Sequence, residues 1–88
     1  MWRAAPSVRS ADALGWALTR SGRPAAGYAF ARRALALGSR DASFRLHAGI
    51  AAKAAGLAGP AGRNLAIADA ARVALTPDAR ALLREALR

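Results

Sequence analysis

The sequence contains an internal repeat with a period of 34 residues, which limits the folds that it can adopt. The residue pairs that align at this offset are Gly15 with Gly49, Ala17 with Ala51, Gly22 with Gly56, and Ala34 with Ala68. Several pairs sharing one spacing are harder to obtain by chance than a single motif. A period of this length predicts one small structural unit stacked on copies of itself.

The repeated unit is predicted to be a pair of helices. Alanine, leucine and arginine favour helix, and no segment alternates apolar and polar residues as a half-buried strand does. Start and stop signals divide the chain into five predicted helices, over residues 10–21, 24–37, 42–55, 60–75 and 77–88. The predicted fold class is all-α, with antiparallel helical hairpins stacked as a short α-solenoid. The abundant alanine indicates closely packed helices.

The glycines and the polar residues before helices have separate predicted roles. Gly22 and Gly56 suit left-handed turns between helices, whereas Gly15 and Gly49 suit places where two helices approach too closely for a side chain. The predicted N-caps are Ser10, Asp41 and Thr76. Asp12 and Asp78 then fall near helix starts, where the helix dipole favours negative charge.

Composition limits the classes of protein to which the chain can belong. Its 88 residues suit one domain, predicted over 10–88 after an N-terminal extension over 1–9. No apolar run reaches the ~18 residues of a membrane span, so we predict no membrane span and a cytoplasmic location. The net charge is +9, but thirteen of the fourteen basic residues are arginine. Abundant arginine with abundant alanine is also what the codon usage of a GC-rich genome produces. The positive charge by itself therefore does not indicate a nucleic-acid partner.

The 34-residue period, with Leu14-Gly15 in the first helix, a glycine turn at Gly22 and Ala34-Leu35 in the second, resembles the tetratricopeptide repeat. The chain is similar to the end of a longer bacterial array of such repeats, with two units and the first helix of a third. The likeness is good over residues 8–68. Beyond it, Pro77 lies four residues past the family's inter-repeat proline, which an insertion of about one helical turn would explain.

The resemblance implies a protein-interaction scaffold that binds a peptide or partner protein along a concave groove. The first helix of each unit lines that groove in this family. The residues implied to face it are Asp12, Trp16, Thr19, Arg20, Leu46, Ile50 and Lys53. Trp16 also lies about 200° around its helix from Leu14, which places it away from the Leu14 stripe. An aromatic, two aliphatics and flanking cations suit a peptide with apolar anchors and acidic neighbours.

The sequence shows no apparatus for catalysis. The single histidine, His47, has no metal-ligand spacing, and the five acids are scattered. Gly56-Leu57-Ala58-Gly59-Pro60 lacks the lysine and hydroxyl residue that follow a phosphate-binding loop. We therefore predict no enzyme activity, no catalytic or metal residues and no cofactor.

Two alternatives stay open. Arg32, Arg33, Arg40 and Arg45 could form a basic patch, and residues 25–55 could be a helix-turn-helix, which would make the chain a DNA-binding regulatory domain. Alternatively, Trp16 and Ile50 pack only against neighbouring helices or another copy of the chain. Self-association, or origin in a longer repeat protein, is also expected, because solenoids usually need about three repeats.

Overall fold

The structure is a computed structural model that describes residues 8–37 and 41–88. Over these ranges the chain is all-helical, as predicted, with five α-helices and no strand. They are α1 (Val8–Arg20), α2 (Pro24–Ala36), α3 (Ala42–Ala54), α4 (Ala58–Ala70) and α5 (Pro77–Ala86), with a 3₁₀ helix, Arg72–Ala74, before α5. Within them no helix combines the length and the apolar composition needed to cross a lipid bilayer.

The helix boundaries repeat with the period found in the sequence. The bounds of α3 and α4 equal those of α1 and α2 shifted by 34 residues at both ends. Helix α5 begins at Pro77, which is 35 residues after the start of α3. The predicted insertion of about one helical turn before the last helix is therefore wrong, because the third unit is displaced by only one residue.

Local signals account for most helix ends. Gly22 and Gly56 have φ of 90° and 80°, the left-handed conformation that glycine adopts without strain. The Asp41 carboxylate accepts a hydrogen bond from the Ser43 N–H at the start of α3, and the Thr76 hydroxyl accepts one from the Ala79 N–H at the start of α5. The predicted glycine turns and these two N-caps are confirmed.

Three predicted boundaries are wrong. Helix α1 begins at Val8, so Ser10 is inside it rather than its cap, and the predicted extension over 1–9 overlaps the helix. Residues 1–7 lie outside the described part of the chain. Helix α4 begins at Ala58, and Pro60 occupies the first turn, where its missing N–H breaks no helical hydrogen bond. Its predicted end at Leu75 is also wrong, since α4 ends at Ala70.

In the first hairpin the backbones of α1 and α2 lie very close together. A methyl group on Gly15 would lie 2.7 Å from the Gly27 carbonyl oxygen and 3.0 Å from the Ala31 nitrogen. Ala31 and Ala34 are almost fully buried beside it. The prediction that Gly15 marks a close approach of two helices is confirmed. Leu14, by contrast, is 46% exposed and does not belong to the core.

The second hairpin, α3 with α4, buries larger apolar side chains than the first. A methyl group on Gly49 would lie 2.7 Å from the Cδ2 and Cγ atoms of Leu65, the residue that corresponds to Ala31 in the first hairpin. The main apolar cluster consists of Leu46, Leu65, Leu75 and Leu83 with Ala42 and Ala68. Helix α3 lies at the centre and packs against the other four, so α1, α3 and α5 are adjacent.

Candidate functional site

A cleft of about 460 Å³ opens where α1, α3 and α5 meet. Its lining residues are Trp16 and Arg20 of α1, Ile50, Lys53 and Ala54 of α3, and Leu82, Glu85 and Ala86 of α5. The apolar side chains come from all three helices, while the charged groups are two cations and one carboxylate. This volume accommodates a few side chains of a partner and is within the usual range for ligand pockets, about 300–1,000 Å³.

Trp16 is held in place by a histidine from the neighbouring hairpin. The rings of Trp16 and His47 are stacked with their centroids 4.3 Å apart and their planes 19° apart. The guanidinium carbon of Arg20, one turn further along α1, lies 5.5 Å from the centroid of the indole. The indole is half buried, so part of it remains available to the cleft. Trp16 therefore presents a fixed aromatic surface rather than a freely rotating one.

His47 is itself fixed by Asp12. Its Nδ1 atom lies 2.9 Å from Asp12 Oδ1 and 3.0 Å from Oδ2. A carboxylate only accepts hydrogen bonds, so Nδ1 carries a proton and donates it. Asp12 is only 7% exposed, and buried charge is expensive unless it is paired. The pair therefore satisfies a buried carboxylate and sets the orientation of the ring that stacks on Trp16.

Lys53 connects two of the helices that line the cleft, α3 and α5. Its Nζ atom donates hydrogen bonds to the carbonyl oxygens of Ala86, at 2.7 Å, and Arg88, at 3.3 Å. Ala86 is the last residue of α5 and Arg88 lies just beyond it. At this end of the helix the unpaired oxygens and the helix dipole attract a cation. Lys53 is thus committed to holding α5, and Arg20 is the cation more available to a partner.

The predicted groove residues divide into two groups. Four of them line the cleft: Trp16, Arg20, Ile50 and Lys53.

The prediction is wrong for two others, Leu46 and Asp12. Leu46 is fully buried in the core, and Asp12 is buried against His47. Asp12 is also not in the first turn of α1, where it was predicted to lie. Thr19 does not line the cleft either, because its hydroxyl donates to the Gly15 carbonyl oxygen at 2.8 Å, beside α2.

The sequence did not lead us to predict that α5 lines the cleft. Leu82, Glu85 and Ala86 were not among the predicted groove residues, although they line the cleft opposite α1. The signal was present in the repeat, since Leu82 aligns with Leu14 and Ala48 at multiples of the period. That alignment makes α5 the first helix of a third unit, the position that lines the groove in the other two.

Within the described residues, the arginines suggested as a basic patch each contact a neighbouring side chain. The guanidinium carbons of Arg32 and Arg33 lie 5.9 Å and 5.7 Å from the ring centroids of Tyr28 and Phe30. Arg45 instead donates to the Asn64 side chain of α4 at 3.1 Å. Arg40 lies outside the described residues.

Among the described residues no three histidine or carboxylate side chains converge as metal ligands would. Compared with protein-family models, curated proteins and solved structures, the chain gives no match. The support for a function therefore comes from the geometry of the cleft between α1, α3 and α5.

Proposed function

We propose that this chain is a protein-interaction module that binds a peptide segment of a partner protein in the cleft between α1, α3 and α5. The observation that carries the proposal is that Trp16, Ile50 and Leu82, from three separate helices, converge on one concave surface. Aromatic and aliphatic anchors in a pocket are the groups that dominate binding energy at protein interfaces. The resemblance to tetratricopeptide repeats, in which the first helices line the binding groove, supports the same surface.

The chemistry of the cleft favours an apolar side chain flanked by acidic residues. Its floor is apolar, and Arg20 at its edge has no ion pair within the described part of the chain. The net charge of +9 also attracts anionic partners and raises their rate of association. An acidic segment with one or two large apolar residues therefore matches the cleft in both shape and charge.

The central position of α3 weighs against the helix-turn-helix alternative. That alternative makes α3 the recognition helix, which must be accessible to enter the major groove of DNA. Helix α3 packs against all four other helices, and Leu46, Ala48 and Ala52 are fully buried. The two cations that α3 carries are both engaged with other helices, Lys53 with α5 and Arg45 with Asn64 of α4.

The test is selection of short peptides from a display library, followed by measurement of the dissociation constants of the selected peptides. We expect enrichment of one or two large apolar residues beside aspartate or glutamate. Trp16→Ala should weaken binding by about tenfold or more, as truncation of a central aromatic anchor does. Arg20→Glu, at an exposed position that leaves the core intact, should also weaken binding of the acidic peptides.

Two matched variants control for side-chain loss and for charge. Ile67→Ala and Arg63→Glu change exposed residues of α4 that do not line the cleft, and binding should be unchanged. Selected peptides that bind Trp16→Ala and Arg20→Glu as tightly as the unmodified chain would refute the proposal. Tight binding of random duplex DNA that weakens steeply with salt, without peptide binding, would favour the nucleic-acid alternative.

A further inference from the structure

A second depression, of about 280 Å³, lies where the end of α4 and the 3₁₀ helix meet α5. The residues that line it are Asp69, Arg72, Arg80, Leu83, Arg84 and Leu87. None of them belongs to the cleft that contains Trp16. Three arginine side chains therefore line one concave site together with the apolar side chains of Leu83 and Leu87.

Backbone contacts position two of the three guanidinium groups. Arg72 Nη1 donates to the Asp69 carbonyl oxygen at 3.0 Å, and Arg80 Nη1 donates to the Arg72 carbonyl oxygen at 3.4 Å. Each contact uses one nitrogen of a group that carries five N–H donors. Arg84 has no hydrogen bond or ion pair within the described ranges. Most of the donors at this site are thus available to a ligand.

The charge of the site is unbalanced. Asp69 is the one carboxylate among its lining residues, and Asp69 Oδ1 lies 3.6 Å from Arg72 Nη1 with both side chains about half exposed. Such an exposed pair is weak. Three guanidinium groups against one carboxylate leave a surplus of two positive charges. A phosphate monoester carries about −1.5 to −2 charges near neutral pH and presents three acceptor oxygens, so it matches this surplus.

We propose that this site, formed by Arg72, Arg80 and Arg84, binds the phosphoryl group of a phosphorylated peptide side chain. Arginine recognises phosphate through paired, charge-assisted hydrogen bonds, and clusters of arginine are a recurrent way to recognise phosphorylated peptides. A carboxylate side chain offers only one charge and two oxygens. A nucleic acid backbone is extended, with one charge per phosphate, and suits a basic stripe better than one small depression with a partly apolar lining. The site is separate from the proposed peptide cleft and does not depend on it.

The experiment is an NMR titration of the whole chain, labelled with ¹⁵N, with N-acetylphosphothreonine methylamide. We expect the side-chain Nε–H signals of Arg72, Arg80 and Arg84 to shift together and to saturate. N-acetylglutamate methylamide and a dinucleotide with a single phosphodiester are the comparison ligands, and each should bind at least about fivefold more weakly because each carries one negative charge.

Variants at Arg84 test whether the site is specific, because this exposed residue can change without disturbing the core. Arg84→Gln should weaken binding of the phosphothreonine compound by about tenfold, and Arg84→Lys by less, since it keeps the charge but loses the paired geometry. Arg63→Gln removes the same charge elsewhere on the surface and should change affinity by less than about twofold. Equal losses in Arg63→Gln and Arg84→Gln, absence of shifts at the three arginines, or equal affinity for either comparison ligand would overturn the proposal.

Discussion

The close approach of α1 and α2 gives the sharpest prediction, which concerns Gly27→Ala. In the interior of a helix this substitution ordinarily stabilises a protein, because alanine exceeds glycine in helix propensity by about 1 kcal/mol. At Gly27 the added methyl group would overlap the Thr19 hydroxyl, lie 2.6 Å from the Gly15 carbonyl oxygen and lie 2.9 Å from the Thr19 nitrogen. We therefore expect the sign of the effect to be reversed.

The magnitude follows from which atoms are contacted. Overpacking a core costs about 1–3 kcal/mol, and the upper value applies here because backbone atoms of α1 cannot rotate away as a side chain can. Subtracting about 1 kcal/mol for the gain in helix propensity leaves a loss of about 2 kcal/mol in the free energy of unfolding. For a domain of this size that loss lowers the melting temperature by roughly 10 °C.

The assay is urea unfolding followed by far-UV circular dichroism, with Gly62→Ala as the matched control. Gly62 is also inside a helix, α4, but an added methyl group would meet no atom within 4 Å. It should raise the free energy of unfolding by about 0.5–1 kcal/mol. Adding Thr19→Ala to Gly27→Ala should recover only part of the loss, because the contact with the Gly15 carbonyl remains. A Gly27→Ala chain as stable as Gly62→Ala would refute the packing described for the first hairpin.

Three further predictions concern the cap and the cleft. Asp41→Ala should cost about 1 kcal/mol by urea unfolding. The Ser43 hydroxyl and N–H donate hydrogen bonds to the Asp41 carboxylate and hold its pKa below the ordinary 3.8. The stability that the ionised carboxylate contributes is therefore complete above pH 3.8 and is lost as the pH falls through the lower pKa of the folded chain. His47→Ala should cost about 1–3 kcal/mol, because it leaves the Asp12 carboxylate buried and unpaired. Lys53→Met keeps the apolar stem but frees the end of α5, which should raise amide hydrogen exchange there more than elsewhere.

Each of these three predictions has a control. Asp41→Asn keeps a capping oxygen without a titrating group, so it should be more stable than Asp41→Ala at neutral pH and lose less than the unmodified chain on acidification. Removing Asp12 together with His47 should cost less than the sum of the single changes, and additive losses would mean that the two side chains are not coupled. Uniformly faster exchange across all helices in Lys53→Met would indicate general destabilisation rather than loss of the contact with α5.

Short-range sequence signals predicted the local elements of this protein. The turns at Gly22 and Gly56 and the caps at Asp41 and Thr76 depend on the conformations and hydrogen bonds of a few adjacent residues, so short-range patterns predict them. The 34-residue period also predicted the repeated helix boundaries and the close approach at Gly15. The errors at Ser10 and Pro60 arose because serine and proline are both tolerated in a first turn as well as at a helix boundary.

Which face of each helix lines the cleft depends on how the helices pack against one another. Leu46 and Ile50 are four residues apart, so they differ by only about 40° around α3. Leu46 is nevertheless fully buried and Ile50 only partly so, because the neighbouring helices cover the one more than the other. In an alanine-rich chain apolar residues occur around most of each helix, and the pattern alone does not select a face. Asp12 pairs with His47, 35 residues away, because α1 packs beside α3. Likewise, α5 lines the cleft because it packs on α3.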